Sequence, residues 1–411
     1  MGLVEPSGLA ADTWERFDEA VEAVCAVGAD HVVTSLEWAR LSPSRGSIDA
    51  AVLGRYGDQL ELLRASGIHP IVRLGSELVP AWAGEEFWLL PGSPETFVAA
   101  MVEIVESLGV NAASWISFTN SVTATIGGWL SGELPPFRRL AIADARLVLD
   151  NFLTAHVLLA GELHARGVSS LGLELPALGY EFSGAVGVGL EAARAGASLK
   201  AAVAAARPDF GARSAVLMAL DPYGVSWHTS TARNRIVAKV LRHGGALRWA
   251  TEAERLGAQA ARTEVALNLN ARSKPRYEPP WSLSVAKPQA TSSRPHLLPT
   301  DASSSSWFID EAVANVDNGV VTSTLLSGGL PGYLDRRAKQ LSEVAGPVRY
   351  TYNALLDGYV AGSFRARTGL FGIDRARGRR GVNWLRTDAS GNDAASAFAR
   401  LAETVRTAPP S

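Results

Sequence analysis

The sequence places a few side chains where an acid, a base or a nucleophile could work. Glu37 follows Val33 and Ser35 at alternate positions of a β-branched run, which puts all three on one side of an extended strand. If that side is an interior, the carboxylate is desolvated at the strand end and can act as acid or base. The alternative is a rim carboxylate paired with Arg40 or Arg73. Glu77 closes a second strand-like run, either as a further carboxylate for a pocket or as a solvated turn residue. Glu174 lies in the apolar run Leu171–Pro176, where burial demands a partner. His228, beside Trp227, has an ordinary pKa near neutrality and can be a base or a satisfied structural histidine. Ser121 or Ser323 with His228 and Glu174 would complete a nucleophile–histidine–acid triad. Neither serine has the Gly-x-Ser-x-Gly flanks of a nucleophile elbow.

The elements that must position these groups alternate along the chain. Thr13–Val27 is amphipathic at helical spacing, Gly28 stops it, and His31–Leu36 reads as a strand. The pattern repeats with helix Ala51–Ser66, Gly67 and strand Pro70–Leu74. It repeats again with helix Ser93–Leu108, Gly109 and strand Ala113–Phe118, and then with helix Ala141–Arg166, Gly167 and strand Ser170–Leu175. Such units imply a parallel sheet with helical crossovers. Beyond them, Leu190–Arg207 and most of Thr231–Lys274 read as helical, and Asp221–His228 as a strand end. Residues 277–306 read as a Pro/Ser-rich surface excursion, Gly319–Leu325 as a strand, Tyr333–Val344 as a helix and Gly358–Ser363 as a last strand. The expectation is a single α/β domain over residues 1–411 with seven strands, where a closed barrel wants eight.

Composition narrows the class. The 411 residues carry 39 basic and 41 acidic side chains, so bulk electrostatic binding of nucleic acid is excluded as a mechanism. At 47% hydrophobic and 19% charged, the chain can bury a large core. One cysteine, Cys25, excludes an intramolecular disulfide or a multi-cysteine metal site. No leader-like segment or long apolar run is seen, so a cytoplasmic protein without membrane or nucleic-acid partners is expected. Gly127-Gly128 and Ser327–Gly332 lack the strand–loop–helix setting of nucleotide binding, and no metal-ligand spacing occurs, so no cofactor is expected. The Ala-, Arg- and Gly-rich usage suggests a high-GC bacterium and a place in specialised metabolism.

Several segments resemble glycoside hydrolase family 1, the β-glucosidase-like (β/α)8 TIM barrels. Leu36–Pro43, followed by Gly46 and Asp49, is similar to the family's strand-two Ser-Trp-Ser-Arg run leading to Pro. Gly67–Trp82 resembles the strand-three segment ending in Leu-Pro-x-Trp. Ser114–Leu134 resembles the Trp-Ile-Thr-x-Asn-Glu-Pro segment with its downstream Gly-Tyr-x-x-Gly, and Asn151–His156 fits the helix that follows. Weaker echoes cover Gly224–Thr229, Val320–Thr324 and Gly358–Leu370. The resemblance implies a barrel with its functional side chains at the strands' C-terminal ends. About forty residues that precede the first helix in the family have no counterpart here, so Gly2–Glu5 forms a rudimentary first strand or that strand is missing.

The departures bear on chemistry. A retaining glycosidase needs a strand-four glutamate as acid/base and a strand-seven glutamate as nucleophile, about 5 Å apart. Asn120 is kept beside the first position, but the next residue is Ser121. Aligning Val321–Thr324 with the family's Ile-Thr-Glu-Asn puts Ser323 at the second. The family's sugar-binding histidine falls at Ser76 and its strand-two arginine at Val33. Its terminal Trp-Ser falls at Gly362-Ser363, which runs quickly past Phe364 and Arg365 into Arg367–Leu370. These changes predict a barrel repurposed for another small molecule held in its mouth, by isomerase-, cyclase- or lyase-type chemistry. Glu37, Glu174 and His228 are then the candidate catalytic groups, with Trp38, Ser76, Glu77, Asn120, Ser121, Trp227, Ser323 and Arg365 lining the ligand. A catalytically silent binding module, or hydrolysis with substitute carboxylates such as Glu37 or Glu77, are the alternatives.

Overall fold

The computed structural model describes residues 10–75, 78–118, 124–125, 128–129, 135–138, 141–168, 171–176, 263–268, 307–310, 315–316, 328–342, 348–358, 366–374 and 382–407. Helix α1 (Phe17–Ala26) leads through Gly28, at φ +68°, into strand β1 (His31–Ser35). A short helix α2 (Trp38–Leu41) follows. Helix α3 (Ala50–Ala65) is capped by Asp49, whose carboxylate accepts from the N–H groups of Ala51 and Val52. Strand β2 (His69–Gly75), helix α4 (Ser93–Leu108), strand β3 (Ser114–Phe118), helix α5 (Ile142–Ala165) and strand β4 (Leu171–Pro176) continue the alternation. These elements match the sequence expectation to within a few residues, because each helix has a periodic apolar face and a glycine stop.

Strands β5 (Thr263–Asn268), β6 (Trp307–Asp310) and β8 (Arg349–Tyr352) complete a seven-stranded parallel sheet in the order β1-β2-β3-β4-β5-β6-β8. Strand β5 falls within Thr231–Lys274, a stretch read as mostly helical. That strand pairs directly with both β4 and β6, and Asp221–His228 lies outside the described residues. Among the described residues the strand between β5 and β8 is Trp307–Asp310, which pairs directly with both. The last strand of this sheet among the described residues is Arg349–Tyr352. Segments 190–207, 277–306, 319–325 and 359–363, and Gly2–Glu5, lie outside the described residues.

Small pairings flank the sheet: β7 (Asn315–Val316) with β9 (Ala366–Arg367), and β10 (Ile373–Asp374) with β11 (Asn383–Trp384). Helices α6 (Gly329–Ser342) and α7 (Ala394–Thr407) pack on each other near β8. Inside the sheet's curve Val33, Ile71 and Ile116 meet. On its other face Val32 packs against Val21, Val24 and Leu63 of the helices, as alternation along a strand requires. Among the described residues no helix is long and apolar enough to cross a membrane.

Candidate active site at the barrel mouth

The C-terminal ends of the parallel strands define one rim of the sheet. At the end of β1 the extended backbone stops at Ser35, and Glu37 becomes the N-cap residue of α2. Its N–H donates to the Tyr56 hydroxyl at 3.1 Å. Its side chain is 57% exposed and accepts from Arg40 Nε at 3.0 Å. Strand alternation therefore does not carry through to Glu37, and the carboxylate has the paired rim setting rather than a desolvated interior one.

Trp38 turns the opposite way. It is 4% exposed and edge-on to Trp82, Phe87 and Phe97 at centroid separations of 5.5–5.7 Å. The expectation that it faces a ligand is corrected: a one-turn helix starting at Glu37 swings the indole into the core. Trp38 Nε1 has no hydrogen-bond partner among the described residues, whereas Trp82 Nε1 donates to the Ser42 carbonyl at 2.8 Å.

The aromatic group continues through Trp88, Phe118 and Phe152, with Trp88 and Phe152 at 4.4 Å and Phe97 stacked on Phe118 at 4.8 Å. Gly75, the last residue of β2, lies against this layer. A Cβ there would stand 2.8 Å from Phe118 and Phe97. Asn151 of α5 ties in by donating to the Trp88 carbonyl at 2.7 Å, and His156, one helical turn on, meets Ser117 of β3 at 2.7 Å. Complete burial pushes the His156 pKa down to about 3, so the ring is neutral at ordinary pH. The Asn151–His156 segment thus fastens α5 beneath β3, the strand that runs toward Asn120 and Ser121.

Glu174 lies on β4 in register with Ala266 of β5. Ser76, Glu77, Asn120, Ser121, Trp227, His228, Ser323 and Arg365 lie outside the described residues. The residue that directly follows β6 is Glu311. Ile309-Asp310-Glu311-Ala312 has a glutamate where Ile-Thr-Glu-Asn has one. Sequence reasoning passed over it because its neighbours are not β-branched, and the later run Val320–Thr324 drew the alignment away. Asn353-Ala354 directly follows β8, the end of the seven-stranded sheet, and Gly362-Ser363 lies outside the described residues. Among the described residues no group of His, Cys, Asp or Glu side chains could hold a metal ion.

No family model matches the chain. β-Glucosidase 6 of Oryza sativa subsp. japonica is 23% identical over 260 residues, covering 54% of this chain and 50% of that protein. β-Glucosidase 40 of Arabidopsis thaliana is 29% identical over 133 residues, 32% of this chain and 26% of the relative. A cyanidin 3-O-glucoside 7-O-glucosyltransferase (acyl-glucose) of Delphinium grandiflorum is 25% identical over 133 residues. The chain thus spans half or less of the length of these curated relatives. Among solved structures, the family 1 β-glucosidase of Thermotoga maritima superposes with a TM-score of 0.67 at 15% identity, covering 98% of this chain and 90% of that one. A β-glucosidase of Exiguobacterium marinum gives 0.65 at 16% identity, covering 96% and 88%. The fold is that of the family 1 β-glucosidase (β/α)8 barrels.

Proposed function

We propose that this chain is a glycosidase-fold enzyme that handles a small molecule in the barrel mouth without acid-assisted hydrolysis of ordinary β-glycosides. The observation that carries this is Ser121, the residue after Asn120 where the resemblance requires the acid/base glutamate. A serine hydroxyl does not protonate a departing alkoxide near neutral pH. Glu311 after β6 supplies a nucleophile-position carboxylate, so the site reads as half of a retaining pair. Glu37 does not substitute for the lost acid, because it is exposed and engaged by Arg40.

A lone carboxylate suits group transfer from a donor whose leaving group departs as a stable anion, with no proton needed. The Delphinium relative, named for acyl-glucose, supports a donor of that chemistry. Isomerisation, cyclisation or elimination in the same mouth is the wider class to which this belongs. A silent binding module is the second reading, favoured by the engagement of Glu37 in a surface pair.

The test compares an alkyl β-glucoside, whose leaving group needs a proton, with 2,4-dinitrophenyl β-glucoside, which needs none. The expected result is no turnover of the first. The second should give a covalent glycosyl adduct on Glu311 by peptide mass mapping, absent in Glu311→Gln and unchanged in Glu37→Gln. Steady cleavage of the alkyl glucoside at enzyme-like rates would overturn the proposal. Failure of both donors would favour the binding module.

A further inference from the structure

Strands β1 and β8 are the two ends of the sheet, each with a single sheet partner among the described residues. Both line one cavity of about 530 Å³ together with α1 and α7, a size that suits a small ligand. Its lining includes the apolar side chains of Val21, Val24, Val27, Leu63, Phe398 and Leu401. It also includes Asp30, His31 and Thr351. His31 Nδ1 lies 2.7 Å from Asp30 Oδ1, and His31 Nε2 lies 3.0 Å from Thr351 Oγ1.

The direction of the proton follows from the partners. Asp30 is held as a carboxylate by His31 and by Arg406 of α7, and a carboxylate only accepts. Nδ1 therefore carries the hydrogen and donates to Asp30. Burial holds the His31 pKa below its usual value, so the ring is neutral and Nε2 accepts from the Thr351 hydroxyl. The polarity is that of a nucleophile, a base and an orienting acid, recognised by geometry rather than by sequence order. Arg349 lies two residues before Thr351 in β8, hence on the same face, and its charge bears on His31.

We propose that Thr351, His31 and Asp30 form a second active site that hydrolyses small carboxylic esters with an apolar acyl group, bound in the seam between β1 and β8. Thr351 Oγ1 attacks the ester carbonyl carbon while its proton passes to His31 Nε2. Arg349 is the positive charge for the oxyanion that develops. The carbon–oxygen bond to the alcohol breaks, and the alcohol leaves with the proton from His31. Water, deprotonated by His31, then attacks the acyl-threonine; the acid departs and Thr351 recovers its hydrogen. The sum is ester plus water to acid plus alcohol. Asp30 is a positioning residue. The groups around His31 are Asp30, His69 of β2, Arg349 of β8, and Arg406 of α7, which reaches it through Asp30.

The test uses the full chain with p-nitrophenyl butyrate and a fluorophosphonate probe. Peptide mapping is expected to find the phosphonyl group on Thr351. Thr351→Val, which keeps the side-chain shape, and His31→Gln should each lower kcat by about 10²–10⁴-fold, while Thr351→Ser retains it. Asp30→Asn should lower kcat with KM little changed and move the acid limb of the pH–rate profile to lower pH, since a carboxylate that favours His31 protonation is gone. Wild-type labelling anywhere other than Thr351, no labelling, or full activity in Thr351→Val would overturn the proposal. Should Thr351→Val fail to fold, the probe on wild type and Thr351→Ser still decide it.

Discussion

Replacing His156 with glutamine isolates the cost of burying an imidazole beneath the mouth. His156 is fully buried, bonded to Ser117 at 2.7 Å, and its pKa is held down at about 3 by desolvation against an ordinary 6.5. Because the folded pKa lies below the unfolded one, the unfolded chain takes up the proton first. Stability is therefore full above pH 6.5 and is lost as pH falls toward 3. At pH 4.5 the unfolded histidine is two units below its pKa while the folded one remains neutral. At about 1.36 kcal/mol per unit, this site costs the wild type about 2.7 kcal/mol relative to pH 7.5. Glutamine retains a group that can reach Ser117 Oγ but cannot titrate in this range. Urea unfolding of both proteins at pH 7.5 and 4.5 should show the stability gap moving in favour of His156→Gln by about 2.7 kcal/mol. A gap equal at the two pH values would refute the reasoning, because it would mean that the folded imidazole protonates as easily as the unfolded one.

Other outcomes follow from packing and charge. Gly75→Ala forces a methyl to within 2.8 Å of Phe97 and Phe118 and should cost about 1–3 kcal/mol by urea unfolding; an unchanged midpoint would mean that the aromatic layer yields freely. Asp357, 2% exposed, accepts from the N–H groups of Gly369 at 2.9 Å and Ile373 at 3.1 Å and faces Arg367. Asp357→Ala leaves those donors without their acceptor and should cost about 3–5 kcal/mol; a loss below about 1 kcal/mol would show that water replaces the carboxylate.

The first half of the fold could be read from the chain because its signals are local. An amphipathic helix, a glycine at positive φ such as Gly28, Gly67 or Gly167, and a short apolar strand follow one another with little ambiguity. The later strands were harder. Thr263–Asn268 sits in an Ala- and Arg-rich context that favours helix, and Trp307–Asp310 ends in an aspartate that strand propensity disfavours. What makes them strands is the pair of edges already waiting on each side, which is a tertiary fact.

The candidate site divided the same way. The sequence alone carried the serine after Asn120, since a residue's identity needs no coordinates, and it carried the likeness to a β-glucosidase barrel. Only the sheet register made Trp307–Asp310 the strand between β5 and β8, and so brought forward Glu311, the next residue in the chain, because alternation says which face a residue takes but not which segment the neighbouring strand will accept. The local turn at the end of β1, where extended backbone gives way to helix within two residues, decided that Glu37 goes out to Arg40 and Trp38 goes into the core. Asp30 and His31 are adjacent in the chain, but Thr351 is 320 positions beyond His31. Their contact exists because the sheet curves until its first and last described strands meet across one cavity.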